Sequence, residues 1–250
     1  MLRLLTIEFH KLKHNKASKI LSLIYFGLLI CIALTAAIKF DVGPIKFHLA
    51  EMGIFNFPYI WHFNTYVAAI LKFFLLLVIV SMMANEYSYK TLKQNLIDGL
   101  SKKEFILSKF YTVVAFALAS TFFVFITSLI LGLIYSDYNE FAIITSDLTY
   151  FLAFFIKLIG YFSFGLFLGI LVKRSAFAVG AMLVWYFIEW IIFGILGWKF
   201  VSWETAQSIK NFLPLEAMSN LIKEPGSRLG AVRSIANQIG ETFTKTYAVE

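Results

Sequence analysis

Five stretches of the chain are almost uninterrupted in apolar character: residues 20–38, 67–84, 111–134, 148–172 and 176–198. Each approaches the ~20 residues that a helix rising ~1.5 Å per residue needs to cross a hydrocarbon layer ~30 Å thick. No ten-residue segments of period-two alternation recur, so the pattern predicts helices rather than the strands of a barrel. The expected fold class is all-α: a polytopic membrane protein with five transmembrane helices, forming a domain over residues 1–198. The first apolar run exceeds the about 7–15 residues of a signal-peptide core and lacks a clear small-residue cleavage site, so it reads as a retained helix. Residues 199–250 read as an extracytoplasmic loop or tail of short amphipathic helices. Pro214 opens one helical stretch through Lys223, the run Glu224-Pro225-Gly226-Ser227 breaks it, and Leu229, Val232, Ile235, Ala236 and Ile239 recur at helical spacing.

Composition agrees with a membrane solvent. The 250 residues are 60% hydrophobic and 15% charged, against about 45–50% and about 25% in soluble domains. Such apolarity also excludes a disordered chain. The net charge of +7 becomes informative through its distribution. Arg3, Lys11, Lys13, Lys16 and Lys19 precede the first span, Lys90, Lys93, Lys102, Lys103 and Lys109 separate the second from the third, and Lys173 and Arg174 separate the fourth from the fifth. The alternate segments hold only Lys39 and Lys46 in one case, and Asp137, Glu140 and Asp147 without a single Lys or Arg in the other. Basic residues accumulate on the cytoplasmic side, so the N-terminus is expected in the cytoplasm of a plasma membrane, in bacteria the inner membrane. The tail, with Lys199, Lys210, Lys223, Arg228, Arg233 and Lys245, is then expected outside, where the bias weakens far from a span. The basic excess thus points to the lipid bilayer as partner and not to nucleic acid.

Candidate chemistry is sparse. The one cysteine, Cys31, excludes an internal disulfide and a cysteine-rich metal site. No phosphate-binding G-x-x-x-x-G-K-[ST] loop and no H-E-x-x-H occurs. His10 and His14 lie four apart among Lys11, Lys13 and Lys16, whose field opposes a divalent cation, and His48 and His62 lack acidic partners at a metal spacing. No catalytic residue, metal site or resident cofactor is therefore expected in this chain. The segment 40–66 is dense in rings (Phe47, Phe55, Phe57, Tyr59, Trp61, Phe63, Tyr66) and is expected along the outer membrane surface, with contact to a substrate as the other reading. Charges inside spans are costly and merit a role. Lys72 falls near the outer end of its run and is expected to snorkel. Lys157 and Glu189 fall at matching depths and suggest either an intramembrane pair or polar contacts to a substrate path. Gly165 and Gly169 form a small-xxx-small face for helix packing, within or between subunits.

The segment 85–110 carries the most specific pattern. Tyr89, Leu92, Leu96, Ile97 and Leu100 follow helical spacing while Lys90, Lys93, Gln94 and Asp98 project from other faces. Gly99 stands where a helix end wants positive φ, and Ser101-Lys102-Lys103-Glu104 fits a capping box that starts the next helix. A short polar-faced helix between two spans suits docking of a soluble partner, with an inert interfacial loop as the alternative.

The N-terminal LLTIEFHKLKHNK, with Glu8 and Lys11, together with the Glu86…Thr91-Leu92-Lys93…Leu96…Gly99-Leu100-Ser101-Lys102…Phe105…Lys109 pattern after the second span, resembles the permease subunits of ABC-2-type transporters. The resemblance extends through Trp198. It implies an N-terminal interfacial amphipathic helix on the inner surface and a coupling helix over Asn85 to Ser101 that docks on a cytosolic ATPase, with Glu86, Thr91, Leu92, Lys93, Leu96, Gly99 and Lys109 as its residues. Lys90 departs from the small residue often found at that point. ATP and Mg would be held by the partner ATPase, and a second permease copy would complete the transporter, which exports a lipid-like, peptide or drug-like amphiphile. The family usually has six spans, and the segment 199–250 resembles the outer loop that precedes the last. A membrane-embedded scaffold or sensor, and an intramembrane hydrolase built on Lys157 and Glu189, are the rival classes.

Overall fold

The computed structural model describes residues 2–37, 40–42, 45–47 and 53–225, with side chains for 3–34 and 53–225. The readings placed on Lys39, on the side chains of Lys46 and Phe47, on His48 and on residues 226–250 lie outside what is described. Helix α1 (Leu2–His14) leads into α2 (Lys16–Ala37), and a small ribbon pairs β1 (Phe40–Val42) antiparallel with β2 (Ile45–Phe47), Phe40 opposite Phe47. Then come α3 (Tyr59–Ser88), α4 (Thr91–Ile97), α5 (Lys102–Tyr135), α6 (Phe141–Ile144), α7 (Thr149–Val172) and α8 (Ser175–Ile195). A π-helical turn (Leu196–Phe200) and two short helices, α9 (Trp203–Lys210) and α10 (Pro214–Asn220), complete the described chain.

Apart from the ribbon the described fold is helical, and α2, α3, α5, α7 and α8 are long and apolar enough to cross a membrane. The helices outrun their apolar windows because backbone hydrogen bonding continues into polar turns that hydropathy does not register. Helix α3 begins at Tyr59, eight residues before the expected start at Val67. Asn15 separates α1 from α2 and caps the latter, its Oδ1 accepting the Ser18 amide at 3.1 Å, because the first amides of a helix lack internal acceptors.

Contacts group the described residues into two compact units, drawn from 1–25, 72–118 and 157–220 in the first and from 26–71, 119–156 and 221–225 in the second. In the first unit α3 packs on α7. A Cβ at Gly165 would overlap the Leu76 side chain, and one at Gly169 would lie 3.4 Å from Met83 Cβ, so the small-residue face serves contact within the chain. Leu75, Leu76, Ile79 and Met83 of α3 and Leu158, Phe162 and Leu166 of α7 are buried. In lipid this close packing supplies the association that water would otherwise drive. Helix α8 exposes Phe177, Leu183, Val184, Phe187 and Ile191, as a helix in an apolar solvent can.

The second unit corrects the expectation for the aromatic segment. Tyr59, Trp61, Phe63 and Tyr66 lie on α3, and Phe55, Phe57 and Trp61 are buried, not spread on a membrane surface. Trp61 packs against Phe57, Phe125 and Phe151 with ring centroids 5.0 to 5.8 Å apart, and its Nε1 donates to the Ile144 carbonyl at 2.9 Å. His62 stacks on Tyr150 and donates from Nε2 to the Lys223 carbonyl at 2.8 Å, which accounts for a buried imidazole structurally.

Candidate functional site

The first unit carries a cluster of charge assembled from four helices. Glu86, in the last turn of α3, is 3% exposed, and Glu8 of α1 and Lys109 of α5 are equally buried. Lys109 Nζ donates to Glu86 Oε1 at 2.5 Å and to Glu8 Oε2 at 2.6 Å. Lys11 Nζ donates to Glu86 Oε1 at 2.8 Å and lies 3.6 Å from Glu8. On the other side Glu86 Oε2 accepts from Thr91 Oγ1 at 2.5 Å and from Asn95 Nδ2 at 3.5 Å. Two carboxylates and two ammonium groups cancel, which is the condition under which buried ions are tolerated. Burial acts to lower the Lys11 pKa, but the hydrogen bond and charge of Glu86 and the charge of Glu8 outweigh it and hold the ammonium above its usual 10.5. An open cavity of about 520 Å³ beside the cluster is lined by Lys11, Glu8, Asn85, Glu86 and Tyr89.

This cluster holds α4. The expected helix over Asn85 to Ser101 is corrected to Thr91–Ile97, since Asn85 through Ser88 belong to α3. Lys90 breaks the chain with φ 58°, and Gly99 ends it with φ 94°. A left-handed residue without glycine's freedom costs ~1–2 kcal/mol, a cost that Lys90 bears and Gly99 avoids. The next helix starts with the expected box: the Glu104 amide donates to Ser101 Oγ at 3.2 Å, and the Ser101 amide to Glu104 Oε2 at 3.0 Å.

Helix α4 has two faces. Leu92 and Leu96 turn inward to a small apolar hollow with Met83, Tyr87, Phe105 and Ile170. Lys93 and Gln94 are exposed, with Ile97 83% and Tyr89 74% exposed. Of the residues singled out by sequence, Glu86, Thr91 and Lys109 therefore meet directly, Leu92 and Leu96 brace the helix, and Lys93 and Gly99 are outward. Leu92 and Leu96 are half-buried beside that hollow. Glu8, Lys11 and Asn95 complete the cluster. Their signal in the sequence was a carboxylate and an ammonium three apart just ahead of an apolar run, which spacing alone cannot tie to Glu86.

The expected Lys157 and Glu189 pair is corrected as well. Glu189 accepts from Trp185 Nε1 at 2.9 Å and from the Leu215 and Glu216 amides at 2.9 and 3.0 Å. Those amides open α10 behind Pro214, which has no N–H, so a carboxylate satisfies both orphan donors at once. Lys157 instead donates to the Ser219 carbonyl at 3.1 Å. Lys72 lies thirteen residues into α3, and its Nζ stands 4.5 Å from the Tyr161 ring centroid. Lys72 and Lys157 both line a cavity of about 330 Å³ with Tyr161, Met182, Leu183, Tyr186, Leu215, Met218 and Ser219. Among the described residues no group of three or more His, Cys, Asp and Glu side chains is placed to hold a metal.

Five helices long and apolar enough to cross a membrane define the class as a multi-pass membrane protein. Residues 4–189 match the family model of the ABC-2 family transporter proteins. That span is most of the chain, which belongs to this family: it is an ABC-2-type permease, a membrane subunit of a transporter and not itself an enzyme. Permeases of this family generally partner with an ATPase subunit. No curated protein and no solved structure matches the chain.

Proposed function

We propose that this permease exports an amphiphilic substrate, lipid-like, peptide or drug-like, using ATP hydrolysed with Mg by a separate cytosolic subunit. Two permease copies flank the pathway. The N-terminus and α4 face the cytoplasm of the plasma membrane, and the segment from residue 199 onward faces outside. The observation that carries this reading is the construction of α4: residues of positive φ at each end free it from α3 and α5, while the Glu86 cluster ties it to α1 and α5.

Such a helix transmits a push. Closure of an ATPase pair against Tyr89, Lys93, Gln94 and Ile97 moves α4, and the buried ion network carries that displacement into α1, α3 and α5 instead of dissipating it in a soft loop. Directional transport then requires only that substrate binds the inner-open and outer-open states with different affinity. Glu86 and Lys109 act here as positioning residues, Leu92 and Leu96 as the inward brace, and Ile97 and Tyr89 as the contact.

Co-purification in mild detergent with an ATPase encoded beside this chain tests the reading. Tyr89→Asp combined with Ile97→Asp places charge on the exposed face without disturbing the packed one. Wild type is expected to retain the ATPase and the double variant to lose it at unchanged thermal stability. A folded wild type that retains no active ATPase would reject the permease mechanism in favour of a membrane scaffold or sensor.

A further inference from the structure

We infer that the open cavity at the junction of α1 and α2 is a site for an anionic phospholipid, its phosphate held by Lys11 and Lys16 and its acyl chain laid along α2. The cavity, about 520 Å³ and of ordinary size for a ligand site, is lined by these two lysines, by Glu8 and Glu86, and by the apolar Leu12, Ala17 and Met82. Both carboxylates are already engaged: each accepts from Lys109, and Glu86 accepts from Lys11 and Thr91 as well. They are also buried, whereas the Lys11 side chain is 37% exposed and Lys16 is exposed. The charge presented to an entering group is therefore positive. Burial opposes the charge of Lys11, but Glu86 and Glu8 outweigh it and hold the ammonium above its usual 10.5, so it is protonated at neutral pH.

The surface that continues from the cations identifies the ligand chemistry. Lys16 opens α2, and Ile20, Leu23 and Ile24 follow it at spacings of four, seven and eight, which keep to one face of a helix. All three are exposed, and they belong to the apolar stretch Lys16–Leu34 that is long enough to cross a membrane. A cation at the head of an exposed apolar stripe matches the two ends of an amphiphile, with phosphate at the polar boundary and acyl chain in the hydrocarbon. Asn85, half-buried on α3, adds an amide donor to the same space. An acidic peptide would satisfy the lysines and leave the stripe bare. Basic pockets between spanning helices on the cytoplasmic side bind anionic headgroups in this way, and the assignment to that leaflet rests on the orientation proposed above. Glu86 and Thr91 line the same cavity, so a bound headgroup lies against the tether of α4.

The test is native mass spectrometry of the full chain released from a neutral maltoside detergent, reading the bound fraction of phosphatidylglycerol against phosphatidylcholine with the same acyl chains. Wild type is expected to retain phosphatidylglycerol and to lose phosphatidylcholine. Lys16→Gln is expected to weaken phosphatidylglycerol about fivefold and Lys16→Arg to keep it. Lys13→Gln, at an exposed lysine that does not line the cavity, is expected to change nothing. Ala17→Trp fills the cavity without altering a charge and is expected to abolish retention; positions 16 and 17 are both exposed, so melting temperatures are expected to match wild type. Equal retention of the two lipids by wild type, undiminished binding by Lys16→Gln or Ala17→Trp, or an equal loss on Lys13→Gln would overturn the proposal. Displacement by glycerophosphate or by hexaglutamate at the concentration of the lipid would overturn it in favour of a soluble phosphate ester or an acidic peptide. No ATPase is present and a detergent micelle has no sides, so loss of the lipid site leaves the docking of α4 standing, and failed docking leaves the lipid site standing.

Discussion

Lysines of the same compact unit meet opposite surroundings. Lys109, 1% exposed, stands between Glu8 and Glu86, and every charge there has an opposite within the chain. Lys72 and Lys157 line a cavity with aromatic and aliphatic side chains, contacting the Tyr161 ring and the Ser219 carbonyl. Compensation inside the chain makes a rigid joint, because each member fixes the position of the others. One residue type thus joins helices through carboxylates in one region and meets an aromatic ring and a backbone carbonyl in the other.

The largest expected effect comes from removing the centre of the compensated cluster. Lys109→Met leaves Glu8 and Glu86 facing one another in a buried site and is expected to destabilise the protein by ~3–5 kcal/mol, read as a lowered melting temperature in detergent. Combining it with Glu8→Gln and Glu86→Gln removes the stranded charges and is expected to restore much of that loss. A single variant as stable as wild type would show that the cluster does not join the helices.

Lys157→Met is expected to cost less than half as much, since the hydrogen bond to the Ser219 carbonyl is worth ~1.5–3 kcal/mol and the departing ammonium no longer needs to be desolvated. Equal losses at positions 109 and 157 would erase the contrast between joint and cavity.

The smallest effect is a pH dependence. Because Lys11 is raised above its usual 10.5, its contribution is complete below that value and is lost as pH rises through the higher folded value. The difference in melting temperature between wild type and Lys11→Met is therefore expected to stay constant from about pH 6 to about pH 9 and to shrink only above about 10.5. A difference that changes near neutrality would mean that Lys11 is not held by Glu86 and Glu8.

Much of this molecule was legible along the chain. Apolar length announced the five spans, because a span must satisfy its own backbone bonds and any sufficiently long apolar run does so as a helix. The capping box at Ser101 and Glu104 and the stop at Gly99 were legible for a similar reason: both are local, complete within a few residues. Glu86, Thr91 and Lys109 came from resemblance to the family pattern.

What the tertiary structure alone decided is pairing at a distance. Glu8 and Lys109 are separated by 101 positions and Lys11 and Glu86 by 75, and no local pattern joins them. The matching depths of Lys157 and Glu189 suggested a pair, but the free amides at the start of α10 offered Glu189 a better-shaped partner. Start positions mattered in the same way, because Tyr59, not Val67, opens α3 and so places Lys72 thirteen residues into the helix. Hydrophobic pattern and local capping act over one turn of helix and are written in the sequence directly. Which charges meet depends on how separate helices pack, and that is settled only when they do.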